Sequence, residues 1–260
     1  MAIIPARLGS TRLPGKVLLD RTGKTLIQHV YETAQRASCL SRIIVATDDP
    51  RVADTVRAFG GECVLTSPSH PNGTARLAEA CRVLALPESP GDQIIVNLQG
   101  DEPEMPPALI EAAVDALRRS PPTVETATVA VPFAPGDDPV NPNLVKVVRR
   151  PDGTAMYFSR APIPFDRDGE ARADAKPLRH LGLYVYRRRF LARYATLRET
   201  PLERTEKLEQ LRVLEHGLSM AVAVFEPDGP LGAGIDTPEQ YEAFVARMKR
   251  RAENRPNSMD

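Results

Sequence analysis

Two hydrophobic textures alternate along the chain. Ile43-Ile44-Val45-Ala46 and Ile94-Ile95-Val96-Asn97-Leu98 are short, nearly unbroken apolar runs. A strand covered on both faces has no solvent side to alternate towards, so such runs suit a parallel sheet. Between and after them, apolar residues recur every three or four positions: Leu26, Val30, Ala34; Val52, Val56, Phe59; Leu77, Ala80, Cys81, Leu84; Ile110, Val114, Leu117. That spacing predicts helices with one buried face. Strand and helix in alternation over the first half of the chain predict an α/β sheet with right-handed crossovers.

The texture changes after Val131. Residues 145–149 and 155–158 flank Pro151-Asp152-Gly153 and predict a hairpin turning at Asp-Gly. Leu181-Gly182-Leu183-Tyr184-Val185-Tyr186 and the run from Met220 to Phe225 read as strands, and 202–216 as one helix stopped by Gly217. A last helix opens at Thr237, with Pro238 in its first turn and Gln240 closing a capping box, and turns Tyr241, Phe244, Val245 and Met248 inward. The expected architecture is one α/β domain over 1–260, a nucleotide-binding type of core with a mixed, mostly parallel sheet and a small antiparallel insert over 133–200. Residues 250–260 are polar and expected to form a loose tail.

Composition narrows the function classes. The 260 residues carry 34 basic and 34 acidic side chains, whereas nucleic-acid binders usually hold a basic excess. The triplets Arg187-Arg188-Arg189 and Lys249-Arg250-Arg251 are expected on solvated helix faces. No apolar stretch approaches the roughly 20 residues that cross a bilayer, and Met1-Ala2-Ile3-Ile4-Pro5 has no basic leader, so a cytoplasmic protein is expected. Cys39, Cys63 and Cys81 are far apart, as are His29, His70, His180 and His216, which removes the spacings of a zinc site or a disulfide framework.

Five segments are candidates for chemistry. Pro5-Ala6-Arg7-Leu8-Gly9-Ser10-Thr11-Arg12-Leu13-Pro14-Gly15-Lys16 follows the first strand, where open α/β sheets bind ligands. Its glycines and the charges of Arg7, Arg12 and Lys16 suit a triphosphate, but Pro14 and Val17 break the P-loop pattern. The alternative is a plain solvated basic loop. Asn97-Leu98-Gln99-Gly100-Asp101-Glu102-Pro103 puts carboxylates at a strand's carboxyl end, either to hold Mg²⁺ or merely to cap the next helix. Asp236, beside a helix start, gains meaning only if it meets Asp101 in space. His70-Pro71-Asn72-Gly73-Thr74-Ala75-Arg76 is either a ligand-facing turn or a capped helix start with a surface arginine. Finally, the insert gathers Ser159, Arg160, His180 and Tyr184, a set suited to a polar anion such as a sugar acid. Tyr157 and Phe158 are expected in the core or a subunit contact.

Taken together, these segments, with Leu208-Glu209-Gln210-Leu211-Arg212 and Gly234-Ile235-Asp236-Thr237-Pro238, resemble the 3-deoxy-manno-octulosonate (KDO) cytidylyltransferases, or CMP-KDO synthetases. The resemblance runs from Ala2 to about Met248. It implies a Rossmann-like nucleotidyltransferase core, a homodimer and a Mg²⁺-dependent reaction of CTP with KDO that yields CMP-KDO and diphosphate for lipopolysaccharide assembly. By position, Arg7 and Lys16 would hold the triphosphate, and Ala6, Asn72, Gly73 and Arg76 the cytidine. Asp101 and Asp236 would bind Mg²⁺, with two ions expected. Gln99, Arg160, His180, Tyr184, Glu209 and Gln210 would surround the sugar acid. The charged segment 169–177 departs from the family pattern and is expected to form a loop over that site. The neighbouring alternative is a cytidylyltransferase for another acid sugar, such as sialic acid or an amino analogue of KDO. A nucleotide binder without turnover is a further alternative, against which the acidic pair and Lys16 count.

Overall fold

The computed structural model describes residues 1–86, 93–168, 176–229, 231–232 and 234–253. The first half is built as the apolar pattern predicts. Strands β1 (Ala2–Ala6), β2 (Ile43–Thr47), β3 (Glu62–Leu65) and β4 (Ile94–Asn97) pair in parallel in the order β3-β2-β1-β4. Helices α1 (Leu26–Gln35), α2 (Pro50–Ala58) and α3 (Gly73–Val83) connect them, and α4 (Pro107–Arg119) follows β4.

The two faces of the sheet make two cores. Ile4, Val45 and Val96 point to the side covered by α1, α2 and α4, through Ile27, Val30, Val52, Ile110 and Val114. Their strand neighbours Ile3, Ile44 and Ile95 point to the other side, where Leu77, Ala80 and Cys81 of α3 pack. This double cover explains why the strands read as unbroken apolar runs.

The sheet continues through β5 (Thr126–Pro132), β8 (Leu178–Arg187) and β9 (Met220–Val224), giving β3-β2-β1-β4-β8-β5-β9. β8 is antiparallel to both neighbours, β4 and β5. The 133–200 stretch therefore supplies a strand to the middle of the sheet as well as a hairpin. That hairpin, β6 (Lys146–Arg149) and β7 (Ala155–Ser159), pairs onto β8 through β6. Phe158 is fully buried in the core and Tyr157 lies at its margin. Helix α5 (Arg188–Tyr194) follows β8.

Three expectations are corrected. The helix foreseen over 202–216 is two, α6 (Pro201–Glu206) and α7 (Gln210–Glu215), because Lys207 adopts a left-handed conformation (φ 54°) and turns the chain. Arg187 and Arg188 are buried rather than on a solvated face. The Arg187 guanidinium donates to the carbonyls of Leu117, Ser120 and Val124, at and just after the end of α4. The start of the expected tail is helical, since α8 (Pro238–Glu253) includes Arg250 and Arg251, and 254–260 lie outside the described residues. The capping box at Thr237 and Gln240 forms as anticipated. Glu104 fastens α8 to the body of the sheet through Arg247 and Arg251.

Candidate active site

β1 and β4 are adjacent, but the chain leaves β1 towards β2 and leaves β4 on the opposite side. This reversal opens a crevice beyond their carboxyl ends, the usual ligand position in open α/β sheets. The loop after β1, the loop after β4 and the start of α3 converge there. Gly100 is required for this approach: a Cβ at that position would lie 2.8 Å from the Pro5 carbonyl oxygen. A Cβ on Gly73 would stand 3.2 Å from Pro5 Cγ, so α3 also abuts the end of β1 closely.

The crevice holds a cavity of about 330 Å³ lined by Arg7, Lys16, Asn72, Gly73, Arg76, Gln99, Asp101 and Asp236, together with Ser10, Thr11, Arg12 and His70. Ala6 is buried immediately behind it, 3.7 Å from the Cβ position of Gly100. Asp101 and Asp236, 135 positions apart in sequence, meet at a single cation, the ammonium of Lys16. Lys16 Nζ donates to Asp101 Oδ2 at 2.6 Å, to Asp236 Oδ1 at 2.9 Å and to the Ile235 carbonyl at 3.1 Å. Burial pulls the ammonium's pKa down, but the two carboxylates more than reverse this and leave it raised. Arg12 reaches the other oxygen of Asp236 at 2.8 Å. Glu102, behind this pair, is pushed up to about 8 by burial and by the charge of Asp101.

Asn72 caps α3, accepting from the Ala75 N–H at 2.9 Å, while its amide donates to Tyr194 Oη at 3.1 Å. Arg76 is buried, not a surface arginine; it donates to Thr66 Oγ1 at 2.7 Å and faces Asp48 at 3.4 Å. Burial lowers its pKa from the ordinary value, with Asp48 opposing.

A second cavity, also about 330 Å³, adjoins the first across Gln99 and is lined by Tyr184, Glu209 and Gln210, with Gly182, Lys207 and Leu208. Four of the six residues expected around the sugar acid thus share one wall. The turn at Lys207 makes this possible, since it swings Glu209 and Gln210 inward. Tyr184 donates to Gln210 Oε1 at 3.0 Å, and the buried Gln210 Nε2 has no hydrogen-bond partner. Burial pushes the Glu209 carboxyl up to about 7.

Arg160 and His180 line neither cavity. The Arg160 guanidinium donates to the carbonyls of Pro142, Glu206 and Lys207, clasping the break between α6 and α7. His180 is buried against Phe158 and Tyr184, pairs with Thr128 Oγ1 at 2.9 Å, and is pushed down to about 3 by burial. Residues 169–175 of the expected sugar-site loop lie outside the described residues. Arg12 lines the cavity as its charge led one to expect, whereas the roles of Gly100, Ser10 and Thr11 had a signal only in their neighbourhood, inside the two quoted loops.

A doubly covered α/β sheet with a basic loop and an acidic pair at its switch point is the frame of a nucleotidyltransferase, and the cytidylyltransferase family model matches residues 1–220. The 3-deoxy-manno-octulosonate cytidylyltransferase of Syntrophobacter fumaroxidans is 52% identical over 248 residues, covering 94% of this chain and 95% of its own. The enzyme of that name from Vibrio cholerae serotype O1 is 48% identical over 255 residues, covering 96% and 98%. A solved CMP:2-keto-3-deoxy-manno-octonic acid synthetase, complexed with CTP, superposes with a TM-score of 0.86 at 40% identity, covering 96% of this chain and 98% of that one. The chain belongs to the 3-deoxy-manno-octulosonate cytidylyltransferase family.

Among the described residues no helix is long and apolar enough to cross a membrane.

Proposed function

We propose that the chain transfers CMP from CTP to the 2-hydroxyl of KDO, releasing diphosphate, and so supplies an activated sugar for lipopolysaccharide assembly. The hydroxyl oxygen forms a bond to the α-phosphorus, and the bond from that phosphorus to the diphosphate oxygen breaks. The observation that carries this reading is the pair of adjoining cavities. One offers cations and an acidic pair to a triphosphate, and the other offers hydroxyl-bonding groups to a sugar, with Gln99 on the wall between them. Such adjacency turns a bimolecular encounter into a positioned one.

Arg7 and Arg12 supply positive charge where phosphate charge develops. Gly73 leaves room at the start of α3 for the nucleotide, and Arg76, held by Thr66 and Asp48, stands at its edge. Tyr184, Glu209 and Gln210 bind sugar hydroxyls, while His180 and Arg160 hold Tyr184 and the α6–α7 turn in place.

The donor set fits Mg²⁺. Asp101 and Asp236 already share one cation, the Lys16 ammonium, between their oxygens. No group of three or more acidic, histidine or cysteine side chains that could hold a metal occurs among the described residues, so substrate and water must complete the shell. Bound there, Mg²⁺ supplies neutralisation of the phosphate charge and acidification of the attacking hydroxyl. Lys16, on the wall of the same cavity, would add positive charge towards the triphosphate. Three free thiols, with burial pushing Cys63 and Cys81 up to about 11, suit a reducing cytoplasm. Met156 of β7 and Val224 of β9, apolar and exposed, suit the subunit contact of a homodimer.

Diphosphate release measured with CTP or UTP, with KDO, its amino analogue or sialic acid, and with or without Mg²⁺ tests the reading. Release is expected with CTP, KDO and Mg²⁺ together. Asp101→Asn and Asp236→Asn should each cut it roughly a hundredfold or more. Release with sialic acid alone would replace the sugar assignment, and near-normal rates in either variant would remove the metal role.

A further inference from the structure

Thr74 belongs to the first turn of α3, whose start lines the nucleotide cavity, yet its side chain points away from that cavity. It is fully buried. Its Oγ1 lies 2.9 Å from Tyr186 Oη and 3.2 Å from Glu209 Oε2. Burial raises the Tyr186 phenol well above its ordinary value, so that phenol is a donor at every working pH. A carboxylate only accepts, so the single Thr74 proton goes to Glu209 and Tyr186 donates to Thr74. The hydrogen bonds run in one direction, Tyr186 to Thr74 to Glu209.

We infer that Thr74 is a positioning residue for the sugar subsite, holding the Glu209 carboxyl group aimed into the cavity that takes the acid sugar. This rests on the proposed function. Among the described residues, Thr74 is the only hydrogen-bond partner of that carboxylate, so nothing else fixes its orientation. The groups around it are Tyr184 and Tyr186 on β8, Tyr194 on α5, Glu203 on α6, Lys207 at the turn and Arg212 on α7. Arg212 is engaged elsewhere, pairing with both oxygens of Glu203 at 2.7 Å. Burial and the charge of Glu203 favour the protonated carboxyl; the Thr74 hydroxyl and Arg212 oppose them. Because Thr74 and the Asn72 cap belong to the same helical turn, the nucleotide and sugar subsites are set by one rigid piece of backbone.

Thr74→Val removes the hydroxyl at nearly constant shape. Wild-type diphosphate release with CTP and KDO is measured first; its absence overturns the proposed function itself. With turnover established, Thr74→Val is expected to raise the KM for KDO roughly tenfold, the usual worth of a hydrogen bond to a charged group. The KM for CTP should stay within about twofold. The acid limb of kcat/KM for KDO should move to higher pH, since a support of the ionised form is gone. Thr74→Ser, which keeps the hydroxyl, should restore all three. If the valine variant does not fold, Thr74→Ala gives the same reading. Equal rises in both KM values, an unmoved acid limb, or failure of serine to restore it would overturn the inference.

Discussion

Lys16 offers a direct measure of how strongly the acidic pair demands a cation. Its side chain is 12% exposed, against 28% for Asp101 and 36% for Asp236. Lys16→Met keeps the length and removes the charge. One ion pair at about 4 Å is worth roughly 4 kcal/mol at an effective dielectric of about 20. Two pairs share this ammonium, but its desolvation opposes them, solvent screens Asp236, and Arg12 remains on Asp236 at 2.8 Å after the substitution. A net loss of about 2 kcal/mol is expected. For a chain of this size that lowers the melting temperature by roughly 4–8 °C. The sign with pH is fixed by the raised pKa. The stabilisation is complete below the ordinary lysine value of 10.5 and is lost only as pH rises through the higher folded value. Melting curves near neutral pH therefore read the full effect. The same curves with Mg²⁺, and no nucleotide, make the decisive comparison. The variant has lost the ammonium that bridges the two carboxylates and keeps only Arg12 on Asp236, so Mg²⁺ should stabilise it more than the wild type, in which Lys16 must first be displaced. An unchanged melting temperature, or equal stabilisation of both proteins by Mg²⁺, would refute this account.

Two further outcomes follow from other parts of the site. Gly100→Ala pushes a methyl to 2.8 Å from the Pro5 carbonyl, backbone against backbone, and should cost roughly 1–3 kcal/mol in urea unfolding and weaken CTP binding; wild-type values for both would show that the two loops are not so tightly abutted. His180 is held neutral, down at about 3, while the unfolded chain takes a proton near the ordinary 6.5. Stability should therefore fall as pH drops below about 6.5, by about 1 kcal/mol per pH unit from this group, and His180→Gln should flatten that slope; parallel pH–stability curves would contradict it.

The parallel half of the sheet was legible because burial on both faces leaves a direct trace, as in Ile43-Ile44-Val45 and Ile94-Ile95-Val96. Capping chemistry at Thr237 and Gln240 was legible for the same reason: it is local. What escaped was decided at a distance. Leu181 to Tyr186 reads as a strand, but nothing in those residues says that β8 enters the sheet between β4 and β5, antiparallel to both. The Lys207 break is invisible to apolar periodicity, which runs on through it, and is marked instead by the Arg160 clasp from another element. The arginine triplet at 187–189 looked solvated because the sequence does not reveal that the end of α4 lies there with carbonyls that accept from Arg187. At the site, the loops and acidic residues were visible as motifs, and so were Gln99, Tyr184, Glu209 and Gln210 through the family resemblance. The inward partners of Arg160 and His180 were not, since a side chain's direction is set by what packs around it.

The late arrival of β8 has a consequence for how the molecule comes into being. During synthesis β1 to β4 are complete after 97 residues, yet β4 keeps an unpaired edge until residue 187 has been added. For that whole interval the nascent chain displays a row of unsatisfied backbone groups on a largely apolar strand, the kind of surface that recruits chaperones or neighbouring chains. Docking of β8 seals that edge and, by carrying Tyr184 and Tyr186 with it, sets the first part of the sugar-binding wall, which Glu209 and Gln210 complete later. The nucleotide crevice also waits, for Asp236, so both subsites are completed only after the sheet has closed, and a truncated or stalled product cannot be a half-working enzyme.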